Sequence, residues 1–319
     1  MRQQVIKYGL TTALRSIEVP TVWDGTVTTE RRGFVTNTLR ALSEHGLIAA
    51  SIDAPNEALR VPKDATGICT LERDVAGNAA QHTTVMVAPN TTVKIHETIN
   101  GAGTFAGTTT FILGANATVE YAILIAIQGN AFVATETTIA NAQLTVTQAI
   151  LGDSNAQLVA HATIGDRAKL EIRQVVIGTG HGQVDAHASS VHVGPHSQSD
   201  ILTRGILDDS ARALFHGLIR INPEAHDVDS YQKTEAILLS ETAGADAIPN
   251  LEIHDHRVKC SHGASIGRLD AEKLFYLMSR GIDEVRAKQL VTEGFIVPLL
   301  PDAWLTRVRE ALGYTEDKE

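Results

Sequence analysis

The sequence predicts a mainly β protein, a β-solenoid of short strands that ends in a small α-helical unit. Three observations predict it. Period-two runs of apolar and polar residues recur from about residue 80 to 260, with no long amphipathic helix between them. A phrase of Gly, Asn or Asp, then Ala, then a strand returns along that stretch. Aromatic residues make up only 4% of the chain, while Ala, Thr, Val and Ile are abundant. Small and β-branched side chains suit thin, closely stacked layers. An antiparallel sandwich would also hold many short strands. The turn phrase and the scarcity of aromatics favour the solenoid, in which each coil buries its face on the next.

Residues 1–75 form a mixed N-terminal segment. Thr36 to His45 reads as a short helix, with Leu39 and Leu42 on one face and Gly46 just past its end. Arg60 to Gly67 reads as a turn. Residues 76–268 are the β core. Thr83–Val87, Thr91–Ile95, Thr118–Tyr121 and Leu170–Ile172 alternate as strands do. The turn phrase appears as Gly114–Val119, Ala140–Thr145, Ser154–Val159, Gly165–Leu170 and Asp209–Leu214. Gly, Asn and Asp supply the left-handed or tight conformations of a corner, and the small Ala is expected to pack inward there.

Residues 269–319 are the helical unit. Asp270 caps a helix with Leu274, Leu277 and Met278 as apolar positions, ending at Gly281. Asp283 caps a second, with Val285, Leu290 and Val291, ending near Gly294. Pro301-Asp302 opens a third, carrying Trp304, Leu305, Val308 and Leu312. Helices this short require packing partners.

The formal net charge is −10 over 319 residues, and no long basic run exists. Nucleic acid is therefore not the expected partner. The longest apolar run, about Tyr121 to Ile127, is far too short to span a bilayer. The first residues carry no signal-peptide core, and two cysteines, Cys69 and Cys260, make no disulfide framework. A reducing, cytoplasmic setting is the expectation. No phosphate-binding loop, dinucleotide turn or nucleophile elbow is present, so neither ATP hydrolysis nor hydride transfer by this chain is expected.

Thirteen histidines are the main chemical resource. His181, His187, His192 and His196 cluster in sequence around Asp185. Strand alternation puts Asp185 and His187 on one face and His192 on the other. Imidazoles with a carboxylate suit zinc or iron; a solvated strand face is the plainer reading. His254, His256, Cys260 and His262 form a second group. A continuous strand from Leu251 to His262 would align all four, at even positions, on one face. A thiolate and neutral imidazoles suit iron, yet one strand cannot complete a cluster site without other strands or another chain. The alternative is an inert Cys with surface His. Cys69 is isolated and expected to pack.

Pro249–Ile253 and Asp255–Asp270, the latter containing Lys259-Cys260-Ser261-His262-Gly263-Ala264-Ser265-Ile266-Gly267-Arg268, resemble the signature of the SufB/SufD family. Leu274–Ile282, Ala287–Phe295 and the weaker phrase Ala211–Ile221 continue the resemblance. It implies a right-handed parallel β-helix followed by a C-terminal helical domain. It also implies a non-enzymatic scaffold of SUF iron–sulfur cluster assembly, pairing with a SufB-like subunit or a second copy and docking the SufC ATPase through the C-terminal helices. A transient iron–sulfur cluster would be shared across that interface, with none held stably by this chain alone.

Lys259–Gly263 has the SufD form, in which His262 corresponds to the functionally important His, with Cys260 beside it. SufB members carry Glu after that His, where this sequence has Gly263. They also carry a Cys in the stretch resembling Ser230–Glu235, where none occurs here. The implied member is a compact SufD-like form without the N-terminal helical domain of longer members. Two other readings stay open from the residues: a solenoid metalloenzyme using the His181–His196 group, and a purely structural solenoid.

Overall fold

The computed structural model describes residues 14–15, 28–31, 56–63, 65 and 67–314. The helix expected over Thr36 to His45 lies outside them. Among the described residues fifteen strands form one continuous hydrogen-bonded system. They are β1 (Leu14–Arg15), β2 (Thr28–Arg31), β3 (Asn56–Val61), β4 (Ile68–Val87), β5 (Thr92–Leu113), β6 (Thr118–Ile139), β7 (Gln143–Gly152) and β8 (Ser154–Ile164). They continue with β9 (Lys169–Gly178), β10 (Gln183–His192), β11 (Gln198–Leu207), β12 (Arg212–Ile221), β13 (Val228–Leu238), β14 (Gly244–Ile253) and β15 (Val258–Arg268). The strand stack thus begins upstream of residue 76.

Strands β3 to β15 pair with one another only in parallel, while β1 and β2 add antiparallel to β4 and β3. One face runs β6-β8-β10-β12-β14 and the other β6-β7-β9-β11-β13-β15. The chain alternates between the two faces, as a β-solenoid requires and a sandwich of antiparallel hairpins does not. Thr92 pairs with Thr118, Thr118 with Gln143 and Gln143 with Lys169, so a coil there takes 25 or 26 residues. Lys169 pairs with Gln198 and Gln198 with Asp229, a lengthening to 29 and 31.

The turn phrase has a structural cause. Asn90, Asn116, Asn141, Arg167, His196 and Asp227 all have left-handed backbone, with φ between 49° and 59°. They stack at one corner. The amides of Asn116 and Asn141 donate to the carbonyls of Asn141 and Asp166 in the next coil, at 2.7 and 2.8 Å. The alanines of the phrase point inward as expected: Ala117, Ala142, Ala168, Ala156 and Ala211 are all buried. The phrases beginning at Ser154 and Asp209 belong to the other side of the coil, which explains their uneven spacing.

β4, β5 and β6 are 20, 22 and 22 residues long, longer than the sequence pattern suggests. They turn the corner without breaking the ladder at Gly77, Gly103 and Gly129, which are register partners with φ of 78°, 128° and 136°. A Cβ on Gly103 would sit 1.9 Å from the Gly77 carbonyl oxygen, so only glycine fits this approach.

Identical positions on successive coils form interior rows. Ile95, Tyr121, Val146, Ile172 and Ile201 make one, all buried. Within the N-terminal coils this core encloses charge. Arg73 donates to Glu97, and to Glu57 at 3.1 Å; Tyr121 donates to Glu97 at 2.7 Å. Burial opposes the Arg73 charge, but Glu97 and Glu57 outweigh it and hold the pKa above its ordinary value.

The helices are α1 (Ala271–Ser279), α2 (Glu284–Ile296) and α3 (Leu305–Ala311), with 3-10 turns at Val297–Leu299 and Asp302–Trp304. The expected caps form: Asp270 accepts from the amides of Glu272 and Lys273, and Asp283 from that of Arg286. Ile296, Leu299, Leu300, Trp304 and Val308 pack on the outer side chains of β6, β7, β9 and β11, including Leu124, Val175 and Ile206. The expected apolar face of α2 differs: Ala287, Gln289, Thr292 and Ile296 are buried, whereas Val285 and Leu290 are exposed. Of the buried four, Ile296 packs on the sheet, while Thr292 Oγ1 meets the Tyr314 hydroxyl at 2.7 Å. Nothing on α1 is buried. Among the described residues no helix is long and apolar enough to cross a membrane.

Replacing Glu97 with Leu strips Arg73 of its nearest counter-charge in the core. The expected loss is about 3 kcal/mol, read from denaturant midpoints, whereas a midpoint equal to wild type would show the ion pair to be dispensable. Interior His192 is 0% exposed and burial holds its pKa down to about 4. It binds its proton more weakly folded than unfolded, so its contribution is whole above pH 6.5 and fades as pH falls toward 4. The slope is expected to amount to about 3 kcal/mol across that window and to flatten in His192→Gln, as measured by urea unfolding at stepped pH.

Candidate functional site

Two strands end the stack. β14 pairs only with β12 and β15 only with β13 among the described residues. Each leaves a row of backbone donors and acceptors open, a template for another chain. Pro249 sits on β14, where the free edge tolerates its missing N–H. The interior is also open here. Ala245, Ala247, Leu251, Val258 and Cys260 pack on the core from one side only, and Ile248, Ile253 and Ile266 are exposed.

The interior rows change character as they reach this end. The row through Leu170 continues as Ser199, Ser230 and Cys260. The row through Ile172 and Ile201 continues as Gln232 and His262. Ser199 and Ser230 share a hydrogen bond of 2.6 Å, and Ser199 meets His192 Nε2 at 2.9 Å. Gln232 is 1% exposed, yet neither its amide nitrogen nor its oxygen has a hydrogen-bond partner. Gly217 makes room for it, since a Cβ there would lie 1.7 Å from Gln232 Nε2. Cys260 and His262 therefore occupy one face of β15, half-buried and exposed respectively, above a polar floor.

The common face for all four expected residues is corrected. β14 stops at Ile253 and β15 starts at Val258. His254 and His256 lie in the corner between them, so strand parity does not carry from them to Cys260. The Asp227 amide donating to the Arg257 carbonyl at 2.8 Å, and the Arg257 amide donating to Asp255 Oδ1 at 2.7 Å, shape that corner.

The other histidine group is also dispersed. His181 is exposed at the turn before β10, and His192 is interior, bonded to Ser197 and Ser199. His196 stands at the left-handed corner, and Asp185 and His187 lie on the outer face of β10. The alternation expected within β10 holds, but His181, His187, His192 and His196 do not converge. What they meet comes from the following coil. His216 stacks on His187, with ring centroids 4.3 Å apart and planes 5° from parallel. His226 and Asp227 approach His196. Sequence reasoning missed all three; a repeat of 29 or 30 residues between histidines, one coil length, was the available signal. Burial, then the neighbouring His187, lowers the pKa of His216.

Cys69 is packed in the core, where burial and then Glu97 push its thiol up to about 11. Burial, then the Asp229 carboxylate, also raises the Cys260 thiol.

The open end of the solenoid thus carries a thiol and an imidazole on a strand whose outer edge is unpaired among the described residues. A family model described as SUF system FeS cluster assembly, SufBD core domain, matches residues 70–295, from β4 to the end of α2. The chain belongs to that family. It is 38% identical to the iron–sulfur cluster assembly protein SufD of Bacillus subtilis over 122 residues, 38% of this chain and 28% of that protein. It is 41% identical to SufD of Escherichia coli over 98 residues, 31% of this chain and 23% of that protein. A SufBD family protein of Mycobacterium leprae is 35% identical over 129 residues, 38% of this chain and 33% of that protein. The matched segment spans between about a quarter and a third of these relatives.

Because the Cys260 thiol is raised, iodoacetamide is expected to alkylate it slowly at neutral pH. The rate should climb with a midpoint above that of a small free thiol, and Asp229→Asn should bring the midpoint down. Alkylation kinetics against pH, with the modified residue identified by mass spectrometry, measure this; a midpoint below the free thiol contradicts it.

Proposed function

We propose that this chain is a SufD-like scaffold subunit of the SUF iron–sulfur cluster assembly system, and that its open C-terminal end is where a nascent cluster is built. The observation that carries this reading is the uncapped edge. β15 presents Cys260 and His262 on one face of a strand whose outer edge has no neighbour among the described residues, over apolar and polar interior rows that water would otherwise reach. An exposed solenoid end calls for a cap, and a second chain supplying strand edges and further ligands satisfies both needs. That chain is a SufB-like subunit or a second copy. Few ligands from each side, one a thiol that gives up its proton only on binding metal, keep a cluster transferable. His254 and His256, in the corner beside β15, border the same end.

The exposed side chains of α1 and α2 support a separate docking role. Phe275, Tyr276, Met278 and Val285 are 74%, 57%, 43% and 65% exposed on a helical unit anchored through Ile296, Trp304 and Val308. An apolar patch on an anchored helix pair fits partner binding, and we assign it to an ATPase of the SufC type. In this reading the chain does no catalysis of its own.

His262→Ala is expected to leave the fold and melting temperature unchanged, since the side chain is exposed. It should cut iron–sulfur cluster formation severalfold when the variant is reconstituted with SufB-like and SufC-type partners, iron, a sulfur donor and ATP. Cluster yield is read by absorbance and iron and sulfide content. Wild-type yield from the folded variant would refute the assignment of the β15 edge.

A further inference from the structure

Asp185, His187 and His216 meet on the outer face of the solenoid, away from the β15 edge. The sheet fixes the meeting. β10 and β12 are adjacent parallel strands in which His187 is the direct register partner of His216. Asp185 lies two residues before His187 and so shares its face. Both strands have neighbours on each side, β8 and β14, so the backbone beneath is held by ladders rather than by a loop. The side chains are 40%, 38% and 31% exposed, in that order.

Asp185 Oδ1 lies 2.8 Å from His187 Nε2 and 3.7 Å from His216 Nε2. All three ligand atoms fall within 4.8 Å of one another. Ligands on a tetrahedral zinc ion sit about 3.3 Å apart, as metal–ligand bonds of roughly 2.0–2.1 Å require; the two measured separations bracket that value. A second observation points the same way. Asp185 Oδ1 and His187 Nε2 are both shut off from water, and although close they make no well-aligned hydrogen bond to any group. Buried polar atoms without partners are rare, and a cation bound beside both would satisfy them.

We propose that Asp185, His187 and His216 form a binding site for a borderline divalent cation of the zinc or ferrous iron kind. Two imidazoles and a carboxylate are the donor set such ions take, and they exclude calcium and magnesium, which take oxygen ligands. The half-open side leaves a further position for water or an exchanging ligand. Parallel rings cannot both direct in-plane lone pairs at one ion, so binding turns one ring. His216, open to solvent on one side, does so within the broad rotamer well of an imidazole. The corner group of His196, His226 and Asp227 is a weaker arrangement. It is more exposed, and His226 Nδ1 already bonds Asp227 Oδ2 at 2.7 Å. The outer-face site stands whether or not the β15 edge receives a cluster.

The test titrates the metal-free full chain with Co2+, a spectroscopic probe for zinc and ferrous sites. Wild type should give d–d absorption that Zn2+ abolishes by displacement. His216→Asn and Asp185→Asn, checked for wild-type circular dichroism, should each weaken binding at least about tenfold, while His226→Asn should not. Diethylpyrocarbonate labelling of the unmutated chain needs no variant: Zn2+ should protect His187 and His216 but not His226. Unchanged Co2+ affinity in the folded variants, or equal labelling of His187 and His216 with and without Zn2+, overturns the site.

Discussion

Residue-for-residue register between coils is the constraint on which the rest of this structure depends. Each strand is paired to the strand one coil earlier with no bulge or slip along its length. A slip of one residue would turn every inward side chain out. Growth of the coil from 25 to 32 residues is therefore absorbed between strands. The left-handed corner residues stay aligned throughout. Arg167 and His196 accept a conformation that ordinarily favours Asn or Gly, and their amides donate to the carbonyls of Pro195 and His226 in the next coil at 3.1 and 2.9 Å.

Register also builds the chemistry. A side chain on one coil lies about 4.8 Å from its counterpart on the next, so any two ligand-bearing residues one coil apart on the same face become neighbours. His187 and His216 are brought together this way on the outer face. Ser199, Ser230 and Cys260 are aligned this way inside. The same regularity creates the open end, because a stack of parallel strands has no internal means of closing its last edge. Unpaired backbone and half-covered apolar rows there are a liability for an isolated chain and a binding surface for an assembling one.

The C-terminal helices divide their labour by face. Trp304, Val308 and Ile296 fix the unit to the outer surface of the sheet, helped by the Arg204 guanidinium, which donates to the Phe295 carbonyl and lies over its ring. Phe275 on α1 and Val285 on α2 are left without cover. Only Leu269 and Asp270 separate β15 from α1, so the uncovered helix follows directly on the free strand edge.

The sequence by itself determined the strand alternation, the corner phrase with its inward alanine, the Asp270 and Asp283 caps and the resemblance carried by Lys259–Gly263. All of these are local: they follow from backbone preferences and from neighbours a few residues apart. Alternation also assigned His187 and His192 to opposite faces of β10. It failed between His254 and Cys260, because periodicity cannot show that a strand stops at Ile253 and restarts at Val258. It failed again for the buried face of α2, which tertiary contacts such as that of Thr292 with Tyr314 select. Only the tertiary structure decided that His216 joins Asp185 and His187, that Gln232 lies beneath His262, and that β15 has a free edge. Each of these depends on the length of a coil, a distance along the chain that no local pattern encodes and that the ladder of hydrogen bonds alone converts into contact.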